Sequence, residues 1–375
     1  MLDLTVLCKV VDNYGDIGFV FRLCRSLSEL SNDIKLRLVV SNLESFAAMA
    51  SKIDPALPFQ EFRGWQIFDW NNAEVCKKVF TENPPVFLLE CFQCGRPDWL
   101  EDIIFAPSFD KTVQAVDVEY LTAEDWAEEF HLIKSGTRSI NVKKHIFMPG
   151  FTPKTGGLVL DGSFMQSLAS TETAHRKLDG TGVCVSKDNF NILVFSYPRN
   201  FDFLVNALNR FSKTLNKARK IKFFIANGIC TQPFLEACQK CGAAFEVEKL
   251  PYLQQEQWDA LLTLMDFSFV RGEDSFSRAC LCGKPFVWHI YKQEKDYHLV
   301  KLEAFHNKLC ASDDYNRFSL LYNDGTESSA ELEELAYKLL ENSAQLQPSF
   351  TLLANKLISI GNMAQHLLEF LSTLI

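Results

Sequence analysis

No stretch of the 375 residues reaches about 18 uninterrupted apolar residues, so nothing in the sequence is expected to span a membrane. A basic excess is also lacking: 38 Lys and Arg stand against 47 Asp and Glu, a net charge of -9. Phosphate-binding surfaces need a basic face, so the balance argues against a protein that grips nucleic acid over its whole surface, leaves room for a cationic partner or a local basic groove, and leads to the expectation of no nucleic-acid partner. No basic segment precedes the first apolar run, "MLDLTVLCKVV", which carries an acid at Asp3. That run reads as a first strand and not as a signal peptide, and the expected location is the cytoplasm. The dinucleotide fingerprint G-x-G-x-x-G is missing after it, which argues against a nicotinamide cofactor. Histidines are absent near the two C-x-x-C pairs, Cys91 with Cys94 and Cys238 with Cys241, so the 12 cysteines read as reduced, mostly buried thiols and no metal site is expected.

The composition that remains is that of an ordinary globular chain, 47% hydrophobic and 23% charged, and its length calls for two domains. Most of the 32 phenylalanines are expected in the cores. Strand-like and helix-like segments alternate from end to end, the pattern of an α/β protein with parallel sheets. In the first half "LTVLCKVV", "LRLVVS", "WQIF", "VFLLEC" and "QAVDVEYL" are the strand candidates, with helical stretches such as "FVFRLCRSLSEL" and "AEDWAEEF" between them. The alternation resumes with "FNILVFSY", "IKFFIANG", "AAFEVEKL", "DFSFVRGE" and "KPFVWHIY". The expected division is a Rossmann-like domain over 1–155, a polar connection over 156–186, a second Rossmann-like domain over 187–345, and a terminal helix over 346–375 that caps or bridges the two. Domains of this kind bind ligands beyond the carboxyl ends of their strands, in a cleft between the two sheets.

Three loops at such ends carry unusual chemistry. In "VVDNYGDIG", Asp12 and Asp16 flank Gly15 just after the first strand. They read either as a turn and helix cap or as two carboxylates offered to a ligand that approaches the glycine backbone. In "LVFSYPRNFD", Phe195, Ser196 and Tyr197 end a strand and Pro198 stops it. Tyr197 is either core or a hydrogen-bonding partner of a sugar or phosphate. The third loop is "RGEDSFSR", residues 271–278. Asp274 or Ser275 as N-cap explains part of it. Arg271 and Glu273 at a strand end are left over. An arginine at a helix N-terminus suits phosphate, and Tyr291 after the next strand adds a donor. Glu273 must then face something else, because a carboxylate about 5 Å from a phosphate charge costs roughly 3 kcal/mol at an effective dielectric near 20. Sugar hydroxyls or a cationic acceptor suit it.

Taken together, "VVDNYGDIG", "FSYP", "LPYLQQEQWD", "MPGFTPKTGGL" and above all "FVRGEDSFSRACLCGKPFVWHIY" resemble the EarP family, the arginine rhamnosyltransferases of elongation factor P (EF-P), over nearly the whole chain. The resemblance implies a GT-B glycosyltransferase with two Rossmann-like domains facing across a cleft and no cofactor or metal. It implies inverting transfer of rhamnose from dTDP-β-L-rhamnose to a guanidinium nitrogen of one EF-P arginine, a modification that activates the factor for rescue of stalled ribosomes. Asp12 and Asp16 match the family's first-loop aspartates, with Asp16 as general base. Tyr197, Arg271, Glu273, Asp274, Ser275 and Tyr291 match its nucleotide-sugar site, and Tyr252, Gln255 and Trp258 its nucleoside contacts. Tyr252 and Trp258 stand where phenylalanine or another aromatic is expected, so stacking survives the departure. The rival expectations are another enzyme of the same fold, such as a nucleotide-sugar epimerase or a small-acceptor transferase, and a non-catalytic binder of EF-P.

Overall fold

A computed structural model describes residues 2–11, 15–215 and 219–374, so Asp12 lies outside the described residues. The chain divides into two compact units, one of Met1–Gly162 with Ile360–Ile375 and one of Ser163–Ser359.

The first unit is built on strands β1 (Leu2–Cys8), β2 (Ile34–Val40), β3 (Phe59–Phe62), β4 (Trp65–Asp69), β5 (Phe87–Cys91), β6 (Val113–Val118), β7 (Lys134–Ser135) and β8 (Val142–Phe147). Their order across the sheet is β3-β4-β2-β1-β5-β6-β8-β7. Six strands are parallel, and the edge strands β3 and β7 pair antiparallel with β4 and β8. Counting only the parallel strands, the order is that of the dinucleotide-binding Rossmann sheet. β1 sits in the middle and is apolar on both faces. Leu4, Val6 and Cys8 pack toward the first helix, Gly15–Leu30, and Leu7 packs with Leu88 and Leu100 on the other side. A strand covered on both faces has no polar alternation, which is why it reads as a continuous apolar run.

The second unit has five parallel strands, β9 (Asn189–Val194), β10 (Lys220–Ile225), β11 (Glu246–Lys249), β12 (Phe267–Arg271) and β13 (Phe286–His289), in the order β11-β10-β9-β12-β13. In both sheets the strand order reverses beside the first strand, between β1 and β5 and between β9 and β12. Ligands of open α/β sheets bind outside the carboxyl ends at that reversal. Gly15 and Asp16 follow β1, Tyr197 follows β9, and Arg271 ends β12.

The passage 156–186 carries two helices, Gly162–Ala169 and Thr171–Leu178, the second capped by Ser170 accepting from the Thr173 amide. The last segment is two helices, Ser343–Ile360 and Met363–Ser372. Met363, Ala364, Leu367 and Leu371 of the final helix lie in the core of the first unit. The outgoing and returning chain passages of that unit are bonded together: Met363 N–H donates to Leu158 O at 2.9 Å, and Asn362 accepts from Leu160 N–H at 3.1 Å while donating to Ser26 Oγ at 3.0 Å. The glycine pair of "TGGL" is required here, since a Cβ on Gly156 would meet the Phe147 ring at 2.2 Å and Gly157 has φ +73°.

Beside this junction the Asp161 carboxylate, with no exposed surface, receives Arg22 at 2.6 Å and Arg25 at 3.3 Å, both from the middle of the Gly15–Leu30 helix. Removing one partner of such a buried cluster costs far more than its formation contributes, because the remaining charges stay desolvated. Asp161→Ala is expected to lower stability by about 3–5 kcal/mol. The shift of the urea unfolding transition measures it, and a loss below about 1 kcal/mol would contradict a burial this complete.

Candidate functional site

In the first unit Asp16 stands in the opening turn of the Gly15–Leu30 helix and is 6% exposed. Its Oδ2 accepts the Val11 amide at 2.7 Å, tying the chain three residues past β1 to the helix start. The partial positive end of the helix favours a carboxylate there. Gly15 is the first helical residue and is half-buried. Across the strand reversal, Phe92 follows β5 with φ 62°, stacks on Tyr120 after β6 at 4.5 Å and meets the tilted ring of Phe19, from the Gly15–Leu30 helix, at 4.9 Å. Burial pushes the thiols beneath this rim up, Cys8 and Cys91 far above their ordinary value and Cys94 to about 12, so they are protonated. Among the described residues no group of three or more His, Cys, Asp or Glu could hold a metal ion, and no helix is long and apolar enough to cross a membrane.

In the second unit β12 ends at Arg271, and Gly272 turns the chain into the helix Glu273–Cys282 with φ 70° and ψ 157°. That backbone region is open essentially to glycine alone. The turn brings the helix start forward. Gly272 is the N-cap, and Asp274 and Ser275 are the second and third helical residues, so neither is the cap that their residue types suggest. No side chain caps this helix. The two side chains are engaged with the helix Gln255–Thr263 instead: Gln255 Nε2 donates to Asp274 Oδ2 at 3.3 Å, and Trp258 Nε1 donates to Ser275 Oγ at 3.2 Å.

Trp258 also meets Phe195 edge-on at 5.0 Å, and the Arg271 guanidinium lies over the rings of Phe195 at 4.6 Å and Tyr197 at 4.7 Å. Tyr197 continues the row to Tyr291, at 5.8 Å and 63% exposed. Arg271 makes no hydrogen bond or ion pair among the described residues, and its Nε is buried without a partner. A guanidinium held between aromatic faces at an uncapped helix start, with no counter-ion of its own, is built to receive an anion. The structure thus brings Tyr197, Gln255, Trp258, Arg271, Asp274, Ser275 and Tyr291 into one connected group. Glu273 is the first residue of the helix beside it, and Tyr252, half exposed, precedes the Gln255–Thr263 helix. Asp16 and Gly15 belong to the other unit.

A family model described as "Elongation-Factor P (EF-P) rhamnosyltransferase EarP" matches residues 4–372. The chain belongs to the EarP family. A relative from Shewanella oneidensis, named protein-arginine rhamnosyltransferase, is 32% identical over 356 residues and 86% of each chain. Among solved structures, one reported as the structural basis for EarP-mediated arginine glycosylation of translation elongation factor EF-P matches with a TM-score of 0.59 at 21% identity, covering 100% of both chains. UDP-GlcNAc 2-epimerase from Neisseria meningitidis bound to UDP-GlcNAc matches with a TM-score of 0.55 at 12% identity, again over 100% of both chains. The fold is GT-B, and the family is one of glycosyltransferases.

The strand-end loops single out the tyrosines and the arginine of this group, but not the histidine that joins them. His289, the last residue of β13, accepts the Tyr197 amide at Nδ1 (3.2 Å) and meets the Tyr197 and Tyr322 rings edge-on at 5.2 and 4.9 Å. Burial, then the charges of Arg199 and Arg271, push its pKa down to about 3, and burial holds His306 at about 4. Both lie below the unfolded value of about 6.5, so the unfolded chain takes up protons that the folded one refuses. Their contribution is complete above pH 6.5 and is lost as the pH falls toward the folded values, by up to about 1.4 kcal/mol per pH unit for each group. The urea midpoint is therefore expected to drop between pH 7 and pH 5, and to drop less in His306→Gln. A midpoint unchanged across that interval would mean that the two rings accept protons in the folded state.

Proposed function

We propose that the protein transfers rhamnose from dTDP-β-L-rhamnose to one arginine of EF-P, inverting the anomeric carbon, and that it acts in the cytoplasm. The observation that carries this is Arg271, an aromatic-packed guanidinium without a counter-ion at the start of an uncapped helix, at the strand reversal of its sheet. Such a site suits the diphosphate of a nucleotide sugar. The family match over residues 4–372 supplies the acceptor class, and 12 free cysteines agree with a reducing compartment.

An arginine side chain is a poor nucleophile, since its pKa is about 13, roughly nine units above that of an ordinary aspartate. Full deprotonation by such an aspartate before attack would cost about 12 kcal/mol. Asp16 therefore holds and orients the guanidinium and takes its proton only as the new bond forms and the nitrogen acidifies. The nitrogen attacks C1, the C1–O bond to the diphosphate breaks, and the electron pair leaves with dTDP. Arg271, Tyr291 and the amides of the Glu273–Cys282 helix start meet the charge that gathers there, a stabilisation larger in the transition state than in the ground state. This scheme requires no metal. Glu273 holds sugar hydroxyls or shares the acceptor cation, and Tyr252 and Trp258 stack the nucleoside. A nucleotide-sugar epimerase of the same fold would act without any protein acceptor, and a non-catalytic binder would hold EF-P without turnover.

Intact-mass measurement of EF-P after incubation with the protein and dTDP-β-L-rhamnose decides among these. The expected result is a gain of one deoxyhexose on a single arginine. Asp16→Asn is expected to slow turnover at saturating substrates by a factor of about 100 or more, and near-normal turnover would remove Asp16 from the mechanism. Arg271→Gln should instead raise the donor KM by about tenfold or more, the loss of a charged hydrogen bond. An unchanged donor KM would move the diphosphate elsewhere.

A further inference from the structure

His289 and Arg271 are register partners at the ends of β13 and β12, so their α-carbons stand side by side on the carboxyl rim of the second sheet. A backbone amide can only donate, so the Tyr197 N–H at 3.2 Å requires a lone pair on His289 Nδ1 and places the proton on Nε2. Ser196 Oγ is 2.6 Å from the same Nδ1, and Tyr322 OH is 2.9 Å from Ser196 Oγ. With Nδ1 as acceptor, the Ser196 hydroxyl donates to the ring and the Tyr322 hydroxyl donates to Ser196. Both residues are buried, at 0% and 1% exposure, so water does not compete for this chain of bonds. The ring is thereby fixed in tautomer and orientation. Its Nε2–H makes no hydrogen bond among the described residues, and the residue is half-buried. A donor locked from behind and left unmatched in front is arranged for a ligand acceptor.

We propose that His289 contacts the sugar donor directly, its Nε2–H donating to an oxygen of the diphosphate held by Arg271. The inference rests on the nucleotide-sugar donor proposed above. Phosphate oxygens only accept, which matches a nitrogen that only donates; a sugar hydroxyl has no such requirement. The neutral ring also adds a directed donor beside Arg199 and Arg271 without adding a third positive charge to desolvate. Ser196 and Tyr322 act through the ring and are positioning residues.

Two amide substitutions separate the two sides of the imidazole. His289→Asn keeps an acceptor near the Nδ1 position and loses the distal donor, while His289→Gln places an N–H near the Nε2 position and loses the acceptor. Calorimetric titration of the full chain with dTDP, with saturation-transfer NMR for thymidine, is expected to show dTDP affinity about tenfold or more weaker in His289→Asn, within a few-fold of wild type in His289→Gln, and thymidine unaffected by both. Equal dTDP affinity in wild type and His289→Asn overturns the contact. So does a loss of dTDP and thymidine binding together in both variants, which would make His289 structural. If the wild-type chain itself does not bind dTDP, the proposed donor falls and the contact falls with it; the wild-type titration therefore distinguishes the two failures. Circular dichroism of each variant checks that it is folded, and His289→Gln keeps the test open should His289→Asn not fold.

Discussion

The Arg22–Asp161–Arg25 cluster is the constraint on which the first unit depends. Two guanidiniums from one face of the Gly15–Leu30 helix share a carboxylate on the passage that leaves the unit, and all three are buried. Ion pairs this deeply buried contribute little net stability over an apolar replacement, but they tolerate few alternative arrangements. What the cluster provides is position. Ser26, one residue after Arg25, bonds Asn362 of the returning passage, so one helix carries both chain crossings and presents Asp16 at its other end.

In the second unit the organising charge has no such partner. Arg271 is held by ring faces, Phe195 on one side and Tyr197 on another, which stabilise a cation without neutralising it. Glu273, two residues further on, does not pair with it. Gly272 turns the backbone directly into a helix, with Glu273 as its first residue. The neighbouring polar side chains are tied to one another, Gln255 to Asp274 and Trp258 to Ser275, which fixes the wall around the arginine.

Much of this was readable in the sequence because buried parallel strands are apolar runs ending in loops, and unusual residues in those loops stand out. Asp16, Tyr197 and Arg271 stand out that way, just beyond or at the carboxyl ends of β1, β9 and β12. The edge strands were not. β3 is four residues of alternating exposure and β7 only two, and neither leaves a periodic trace. "AEDWAEEF" promised two helical turns and formed one, Ala127–Phe130. The helices within 156–186 are short, and the second is mostly polar, so they resemble a linker in composition. Assigning the cap to Asp274 or Ser275 followed side-chain preference, whereas a glycine with positive φ set the helix start. His289 carries no sequence signal at all. Its role is defined by Ser196, 93 positions away in the chain, and by Tyr322, which is 126 positions from that serine.

The absence of a counter-ion at Arg271 has a physical reason. A carboxylate 4 Å from Arg271 would bind it with about 4 kcal/mol at an effective dielectric near 20, and an arriving phosphate would have to displace it. Within its own unit Arg271 makes no ion pair among the described residues. Aromatic packing and neutral donors can surround it without cancelling it, and the row from Trp258 to Tyr291 does so. The same requirement accounts for the state of His289. A protonated imidazole would repel the guanidinium in the empty site, whereas burial and the nearby arginines keep the ring neutral, so the arginine supplies the charge and the imidazole supplies direction.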